Sequence, residues 1–257
     1  MADRERKHTR GLIFMNVAII GYGFVGKATE YLLKKTNCNI QLHDPSKYLL
    51  CDFETVEYAF VCVPTPSTGN ELDISILQSV YEEYKDVCQL IIRSTIGPEQ
   101  VELFPKAYIM PEFLRERCWK VDVDDPQLPL IIGMEETDDE LVELFDNVNK
   151  PVNICPPKEA SMFKLMRNAA LAMRVAVANE FYEICKREEI DYDFVSNLLS
   201  VDSWTGGTHW DVPGPDGKLG FGGSCFPKDL THMKSLCYND LNIFETALKI
   251  NDERRNK

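Results

Sequence analysis

The stretch Met15-Asn-Val-Ala-Ile-Ile20, followed at once by Gly21-Tyr22-Gly23-Phe24-Val25-Gly26, decides the fold. Its apolar start predicts a buried strand, and Lys27 to Lys35 predicts a helix behind it. Between them lies GxGxxG. Gly21 makes the tight turn, Gly23 lets a pyrophosphate approach the backbone, and Gly26 lets the helix pack on the strand. Phosphates then sit at a helix N-terminus, where backbone N–H groups are free. The whole loop, with Tyr22, Phe24 and Val25, is the predicted cofactor cradle. Ile40 to Asp44 reads as the second strand. A carboxylate at its end accepts hydrogen bonds from the adenosine ribose hydroxyls. Asp44 would repel a 2′-phosphate and no arginine adjoins it, so NAD is expected over NADP. A bare glycine turn is the competing reading; the strand, the helix and the acid at this spacing outweigh it.

Tyr58 to Val63 is a continuous apolar run, expected of a buried parallel strand, and it ends in Pro64-Thr65-Pro66. Leu77 to Val87 reads as a helix and Gln89 to Ile92 as a strand. Arg93-Ser94-Thr95-Ile96-Gly97-Pro98 turns at that strand's carboxyl end. Ligands of open α/β sheets bind outside those ends, so Thr95 belongs in the crevice. Ala107 to Met110 and Leu130 to Gly133 are further strands, with a helix over Asp138 to Val148. The alternation predicts an α/β fold with a doubly wound, parallel sheet of Rossmann type. Within Pro111-Glu112-Phe113-Leu114-Arg115-Glu116, a helix would place both glutamates on one face, where one could activate a water. A merely solvated pair is the alternative.

Pro151 to Pro157 holds three prolines and reads as a boundary between a nucleotide-binding domain over 15–155 and a helical domain over 156–257. Residues 1–14 read as a mobile tail. Lys158 to Glu188 contains no glycine or proline and reads as one long central helix. Phe163, Met166, Ala170, Met173, Val177, Phe181 and Ile184 form an apolar stripe along it. Ala169, Ala170, Ala172, Ala176 and Ala178 would let another helix come close, which suggests a homodimer through this helix. Lys164 and Asn168 share a face and can hold a hydroxyl, then polarise its oxygen as hydride leaves. They are equally readable as a surface pair. Tyr192 to Leu199 reads as a short helix, Asp202 to Lys218 as a Gly/Pro-rich loop and Leu241 to Arg254 as a last helix. After the loop comes Gly220-Phe-Gly-Gly-Ser-Cys225-Phe-Pro-Lys-Asp229. Glycines there let backbone pass close to a ligand. Lys228 and a following helix N-terminus would favour the Cys225 thiolate, making it a candidate nucleophile; an inert buried cysteine is the alternative.

A formal charge of −13 argues against nucleic acid or an anionic membrane as partner. Nine cysteines, none in CxxC, read as reduced intracellular thiols without a metal site, and the chain is expected in the cytoplasm. No run reaches the length of a membrane span.

GFGGSCFPKD resembles the active-site cysteine segment of the UDP-glucose/GDP-mannose dehydrogenase family, in the manner of a UDP-glucose 6-dehydrogenase. Val63-Pro64-Thr65-Pro66 resembles its VPTP-like loop, Ser94-Thr95-Ile96-Gly97-Pro98 its STVPxG turn, Pro111 to Glu116 its PEFLxE segment and Lys164 to Asn168 its KLxxN segment. The resemblance implies an enzyme that oxidises a nucleotide sugar to the uronate with NAD used twice. It implies that Val63, Pro64, Thr65, Ser94, Thr95 and Lys228 lie at the cofactor. Glu112, Phe113, Leu114, Arg115, Lys164, Asn168 and Gly222 would meet the substrate. In the implied reaction Asp229 and Lys164, with a water, assist removal of the hydroxyl proton. Cys225 forms a thiohemiacetal and then a thioester, Glu112 or Glu116 helps water hydrolyse it, and Thr95 and Asn168 hold the water and oxyanion. Two departures stand out. Thr205-Gly206-Gly207 occupies the place of the family's arginine, for which His209 and Lys218 are the candidate partial substitutes, and the resemblance covers only the first two-thirds of the family architecture, a short form without the C-terminal nucleotide-binding domain. Two rival readings stand beside it: a two-electron hydroxyacid dehydrogenase using Lys164 and Asn168, and a non-catalytic NAD-binding remnant. Which nucleotide sugar is used, and whether another chain supplies the further domain, is left open by the residues.

Overall fold

The computed structural model describes residues 15–256 apart from 70, 207 and 238–241. The tail expected over 1–14 therefore lies outside the described residues, as do Gly207 and Leu241. The chain forms two compact units. One takes in Met1–Thr65 and Ile74–Met162, the other Pro66–Asp73 and Phe163–Lys257.

The first unit begins β1 (Met15–Ile20), α1 (Phe24–Leu33), β2 (Cys38–His43), β3 (Tyr58–Val61). The chain then passes through β4 (Ser67–Thr68) and β5 (Glu71–Leu72), an antiparallel pair assigned to the second unit. It returns as α2 (Ser75–Tyr84), β6 (Gln89–Ile92), β7 (Tyr108–Ile109), α3 (Trp119–Asp124), β8 (Leu130–Gly133), α4 (Asp139–Leu144) and β9 (Val152–Cys155). Seven strands make one sheet in the order β2-β1-β3-β6-β7-β8-β9. β1 pairs with β2 on one side and β3 on the other, so the strand order reverses there and a crevice opens at the carboxyl ends. Val17, Ile19, Phe60 and Ile91 are completely buried, as continuous apolar strands require when both faces are covered.

The doubly wound sheet is mostly parallel, as expected, with one reversal: β8 runs antiparallel to β7 and parallel to β9. A parallel return needs a crossover. The link after β7 instead lays α3 against α1, with Tyr31 edge-on to Trp119 at 5.7 Å. The proline-rich Pro151–Pro157 segment contains β9, an edge strand paired with β8. The division of units falls inside the next helix. Pro111–Glu116 is not helical, so the one-face arrangement that a helix would give its two glutamates does not form. The Glu112 carboxylate accepts the Leu114 N–H at 2.7 Å, and Asp122 accepts the Arg115 N–H at 2.7 Å. These side chains give the backbone partners that compete with a helix.

α5 (Pro157–Arg187) runs from the first unit into the second. There it is joined by α6 (Tyr192–Val201), α7 (Phe226–Ser235) and α8 (Ile243–Arg255). Ala169 and Ala172 pack with Phe221, Leu230 and Ala247 in one core, and Ala178 packs with Tyr192, Trp210 and Val212 in another. Ala169, Ala172 and Ala178 thus serve the chain's own core, because small side chains let α7, α8 and the 210–221 loop come close, whereas Ala170 is exposed. Of the apolar stripe, Phe163, Met166, Val177, Phe181 and Ile184 stay exposed, Met166 at 57%.

Candidate active site

The glycine loop of the first unit shows three different constraints. Gly21 has φ +87°, and a Cβ there would lie 2.9 Å from the Cys62 carbonyl oxygen. A Cβ on Gly26 would meet the Gly21 carbonyl oxygen at 2.2 Å. Both glycines are demanded by the fold itself. Gly23 differs: a Cβ there would meet nothing within 4 Å. The open space above Gly23, at the N-terminus of α1, is a cradle that fits a dinucleotide pyrophosphate.

Asp44 follows β2 and is engaged on both oxygens. Oδ2 accepts the Tyr22 N–H at 2.9 Å and the Lys47 ammonium at 2.7 Å, while Oδ1 accepts the Ser46 hydroxyl at 2.6 Å. Lys47 also donates to the Tyr22 carbonyl at 2.7 Å. Lys47 first, then Ser46, holds the Asp44 carboxyl far below the usual carboxylate range. Sequence reading missed Lys47; its only signal was its place three residues after Asp44. Tyr22 donates its hydroxyl to Glu30 at 2.5 Å, which pushes the phenol up to about 12.

The other loops at the carboxyl ends are tied together. Thr65 donates to the Thr95 carbonyl at 2.8 Å, and Ser94 donates to the Val63 carbonyl at 2.6 Å. These hydroxyls hold the loops beyond β3 and β6 in place; Pro64 is exposed and Thr95 half-buried.

The 112–116 segment separates its expected roles. Glu112 is buried and Glu116 exposed, so the pair does not share a face. Phe113 is buried and Leu114 packs against the core, which leaves their backbone as the means of contacting a ligand. Arg115 is committed to Asp122, Nη2 to Oδ1 at 2.6 Å. Arg93, passed over in the sequence, is buried with Nε and Nη1 lacking hydrogen-bond partners, and burial lowers its pKa. It lines a cavity of about 30 Å³ with Glu112.

In the second unit the structure brings Asn168, Lys228 and Asp229 together beside Cys225. Lys164 and Asn168 are 3% and 4% exposed, on the same buried face of α5. The Asn168 amide donates to Asp229 Oδ2 at 2.6 Å. Asp229 is wholly buried, and the Lys228 ammonium lies 3.0 Å from its Oδ1, out of line for a hydrogen bond. Asp229 sits one turn after Cys225 and donates its N–H to the Cys225 carbonyl at 2.8 Å. Cys225 itself is the half-buried N-cap of α7, with Pro227 in the first turn. Gly220 and Gly223 have φ +76° and +78°, so the bend before Cys225 needs glycine at both. A Cβ on Gly222 would lie 2.7 Å from the Arg255 guanidinium.

The loop where an arginine was expected has one beside it from elsewhere. Arg174 of α5 donates to the Thr208 carbonyl at 3.1 Å and lies 5.3 Å over the Trp210 ring. His209 packs against Phe226 at 5.5 Å, and Lys218 is exposed. Among the described residues no three or more His, Cys, Asp or Glu side chains are grouped to hold a metal, and no helix is long and apolar enough to cross a membrane.

Residues 158–253 match the model of the UDP-glucose/GDP-mannose dehydrogenase family, central domain. The chain is 27% identical to a UDP-glucose 6-dehydrogenase of Rickettsia bellii, with 93% of this chain and 67% of that protein covered. It is also 27% identical to one of Streptococcus pneumoniae, covering 89% and 62%. The chain spans only about half the length of another such relative, from Rickettsia conorii, at 50%. Among solved structures, a UDP-glucose dehydrogenase from the archaeon Pyrobaculum islandicum aligns over 95% of this chain and 69% of its own, with TM-score 0.79 and 20% identity. A GDP-mannose dehydrogenase from Pseudomonas aeruginosa aligns over 93% and 69%, with TM-score 0.61 and 23% identity. At these identities the two structures speak for the fold.

Proposed function

We propose that this chain, whose residues 158–253 belong to the UDP-glucose/GDP-mannose dehydrogenase family as its central domain, is an NAD-dependent dehydrogenase that oxidises a nucleotide sugar, UDP-glucose first among them, to the uronate. The observation that carries the reading is the buried Asn168–Asp229–Lys228 cluster one turn from Cys225. Burying a carboxylate costs several kcal/mol, roughly, unless it is paired and hydrogen-bonded. A helix that served only as scaffold would place an apolar residue there.

The Gly21–Gly26 loop and Asp44, with Val63, Pro64, Thr65, Ser94 and Thr95 beyond the next strands, would hold NAD. Bound NAD supplies the hydride acceptor for both oxidations. The chain's own groups do the rest. Lys164 and Asp229, through a water, take the proton of the sugar hydroxyl. The Cys225 thiolate attacks the aldehyde carbon to give a thiohemiacetal, and loss of a second hydride leaves a thioester. Thr95 and Asn168 hold the water and the developing oxyanion. Glu112 and Glu116 are the proposed bases for hydrolysis of the thioester, a role the exposed Glu116 can take without a desolvation cost. Lys228 shields Asp229 and favours the thiolate of Cys225. The exposed apolar residues of α5, Phe163, Met166, Val177, Phe181 and Ile184, support a homodimer.

NADH release from UDP- and GDP-sugars tests the reading. Two NADH per sugar supports it. One NADH per substrate would point to a two-electron dehydrogenase with Cys225 idle, and tight NAD binding without turnover on any of them would overturn the catalytic reading.

A further inference from the structure

We propose that Asn179, Asn251 and Arg255 are positioning residues that hold the glycine bend ahead of Cys225; the proposal rests on Cys225 being the nucleophile. The Gly220 N–H donates to Asn179 Oδ1 of α5 at 2.9 Å, and the Phe221 N–H donates to Asn251 Oδ1 of α8 at 2.7 Å. Both bonds are buried. Asn179 is itself oriented by donating Nδ2 to the Val175 carbonyl at 2.8 Å. Gly222 lies against the Arg255 guanidinium, whose Nη2 is tied to Asp216 at 2.7 Å. The Phe221 ring anchors the same bend in the core with Ala169, Ala172 and Leu230.

Helices on two sides thus fix three consecutive residues, Gly220 to Gly222, just ahead of the nucleophile. The choice of side chains argues for positioning rather than filling. Buried amides cost free energy unless they are hydrogen-bonded, and an apolar residue would pack more cheaply. Asn179 and Asn251 spend their carbonyl oxygens on N–H groups of the bend. The bend could not satisfy those groups itself, because its backbone leaves regular structure through Gly220 and Gly223 at positive φ. Without the amides the bend has freedom, and the thiol that follows it inherits that freedom.

The test compares Asn251→Leu with Asn251→Asp in the full chain. The leucine removes the acceptor at similar size, and the aspartate keeps it. Three readings are taken: kcat with NAD and UDP-glucose, Kd for NAD, and the rate of iodoacetamide alkylation at Cys225 resolved from the other cysteines by peptide mass spectrometry. Asn251→Leu should lower kcat by about tenfold to about 100-fold, the effect of a roughly 1 Å misplacement. It should change the Cys225 alkylation rate while leaving NAD affinity and alkylation of the exposed Cys118 unchanged. Asn251→Asp should restore kcat and the Cys225 rate toward wild type. Equal damage from both variants would reduce Asn251 to packing and overturn the proposal. So would wild-type kcat and Cys225 alkylation in Asn251→Leu. If Asn251→Leu fails to fold, Arg255→Met is read by the same kcat and alkylation criteria. A Cys225→Ser protein with full turnover sinks the nucleophile reading itself. A dead Cys225→Ser beside a normal Asn251→Leu sinks only the positioning role.

Discussion

Gly23→Ala should separate cofactor binding from folding. The new Cβ would meet nothing within 4 Å, and the residue has φ −78° and ψ −158°, extended backbone that alanine adopts. Two small stability effects oppose each other. Alanine restricts the unfolded chain, which stabilises by about 0.4–1 kcal/mol. It is also a poorer helix N-cap than glycine, by about 0.5–1 kcal/mol. The net change should stay within about 1 kcal/mol, or a Tm shift of no more than about 4 °C for a chain of this size. The methyl nevertheless fills the space through which a pyrophosphate reaches the free N–H groups of α1. Losing one charge-assisted hydrogen bond costs about 1.5–3 kcal/mol. That is a weakening of NAD binding by about tenfold to about 150-fold. Titration calorimetry with NAD and a thermal melt read the two quantities on the same protein. Gly26→Ala is the contrast, because its Cβ would sit 2.2 Å from a backbone oxygen and the fold itself should fail. Wild-type NAD affinity in Gly23→Ala, with the melt unchanged, would refute the placement of the phosphates.

Cys225→Ser should leave NAD affinity intact and lower steady turnover by about 100-fold or more, since a serine hydroxyl is far less ionised than a thiol; rapid kinetics of NADH release checks it. The Asp44 carboxyl is lowered from 3.8, chiefly by Lys47, so its contribution is present above that value and is lost only as pH falls through the lower folded value. NAD affinity should therefore stay flat down to about pH 5 as far as this group is concerned, and Lys47→Met should move its acid limb upward in calorimetric titrations across pH. Ile184→Glu, on the exposed stripe of α5, should shift the protein toward monomer in light scattering at about micromolar concentration; an unchanged mass, or a monomeric wild type, counts against the homodimer.

What could be read before the structure follows from the range of the interactions involved. β1, the glycine loop and Asp44 were readable because each depends on neighbours close in the chain: a buried strand, a turn and a helix start. Gln89–Ile92 and Leu130–Gly133 were matched residue for residue, since a short apolar run is a local signal of a buried strand. β9 was missed because Val152-Asn-Ile-Cys155 lies at a sheet edge, with Asn153 and Ile154 exposed, and an edge strand need not be continuously apolar. The reversal of β8 depends on where α3 packs, which no local pattern records. The Glu112–Glu116 segment stays out of a helix for a local reason: acceptors at Glu112 and Asp122 capture the backbone N–H groups of Leu114 and Arg115. In the second unit the ion and amide contacts of Asp229 link residues sixty-one apart, Asn168 and Asp229, and only folding could show them.

α5 carries two different faces. A strip of apolar residues at three- and four-residue spacing marked a long helix, expected to take part in a homodimer. Phe163, Met166, Val177, Phe181 and Ile184 of that strip are exposed in the single chain, while the buried face carries Lys164, Asn168 and Asn179 among small residues. The division has a physical logic. Alanines at 169, 172 and 178 let neighbouring segments approach the helix closely, and close approach is what brings Asp229 within 2.6 Å of the Asn168 amide. A larger apolar side chain on that face would increase the buried area and hold α7 away. The buried side is therefore built for short polar contacts and the exposed side for apolar ones. An exposed apolar face on a helix whose own core is already satisfied is best explained by a partner. The same substitution should then act oppositely on the two sides. A glutamate at Ile184 should affect association and spare the folded chain, whereas a leucine at Ala172, fully buried, should overpack the core by about 1–3 kcal/mol and lower the melting temperature.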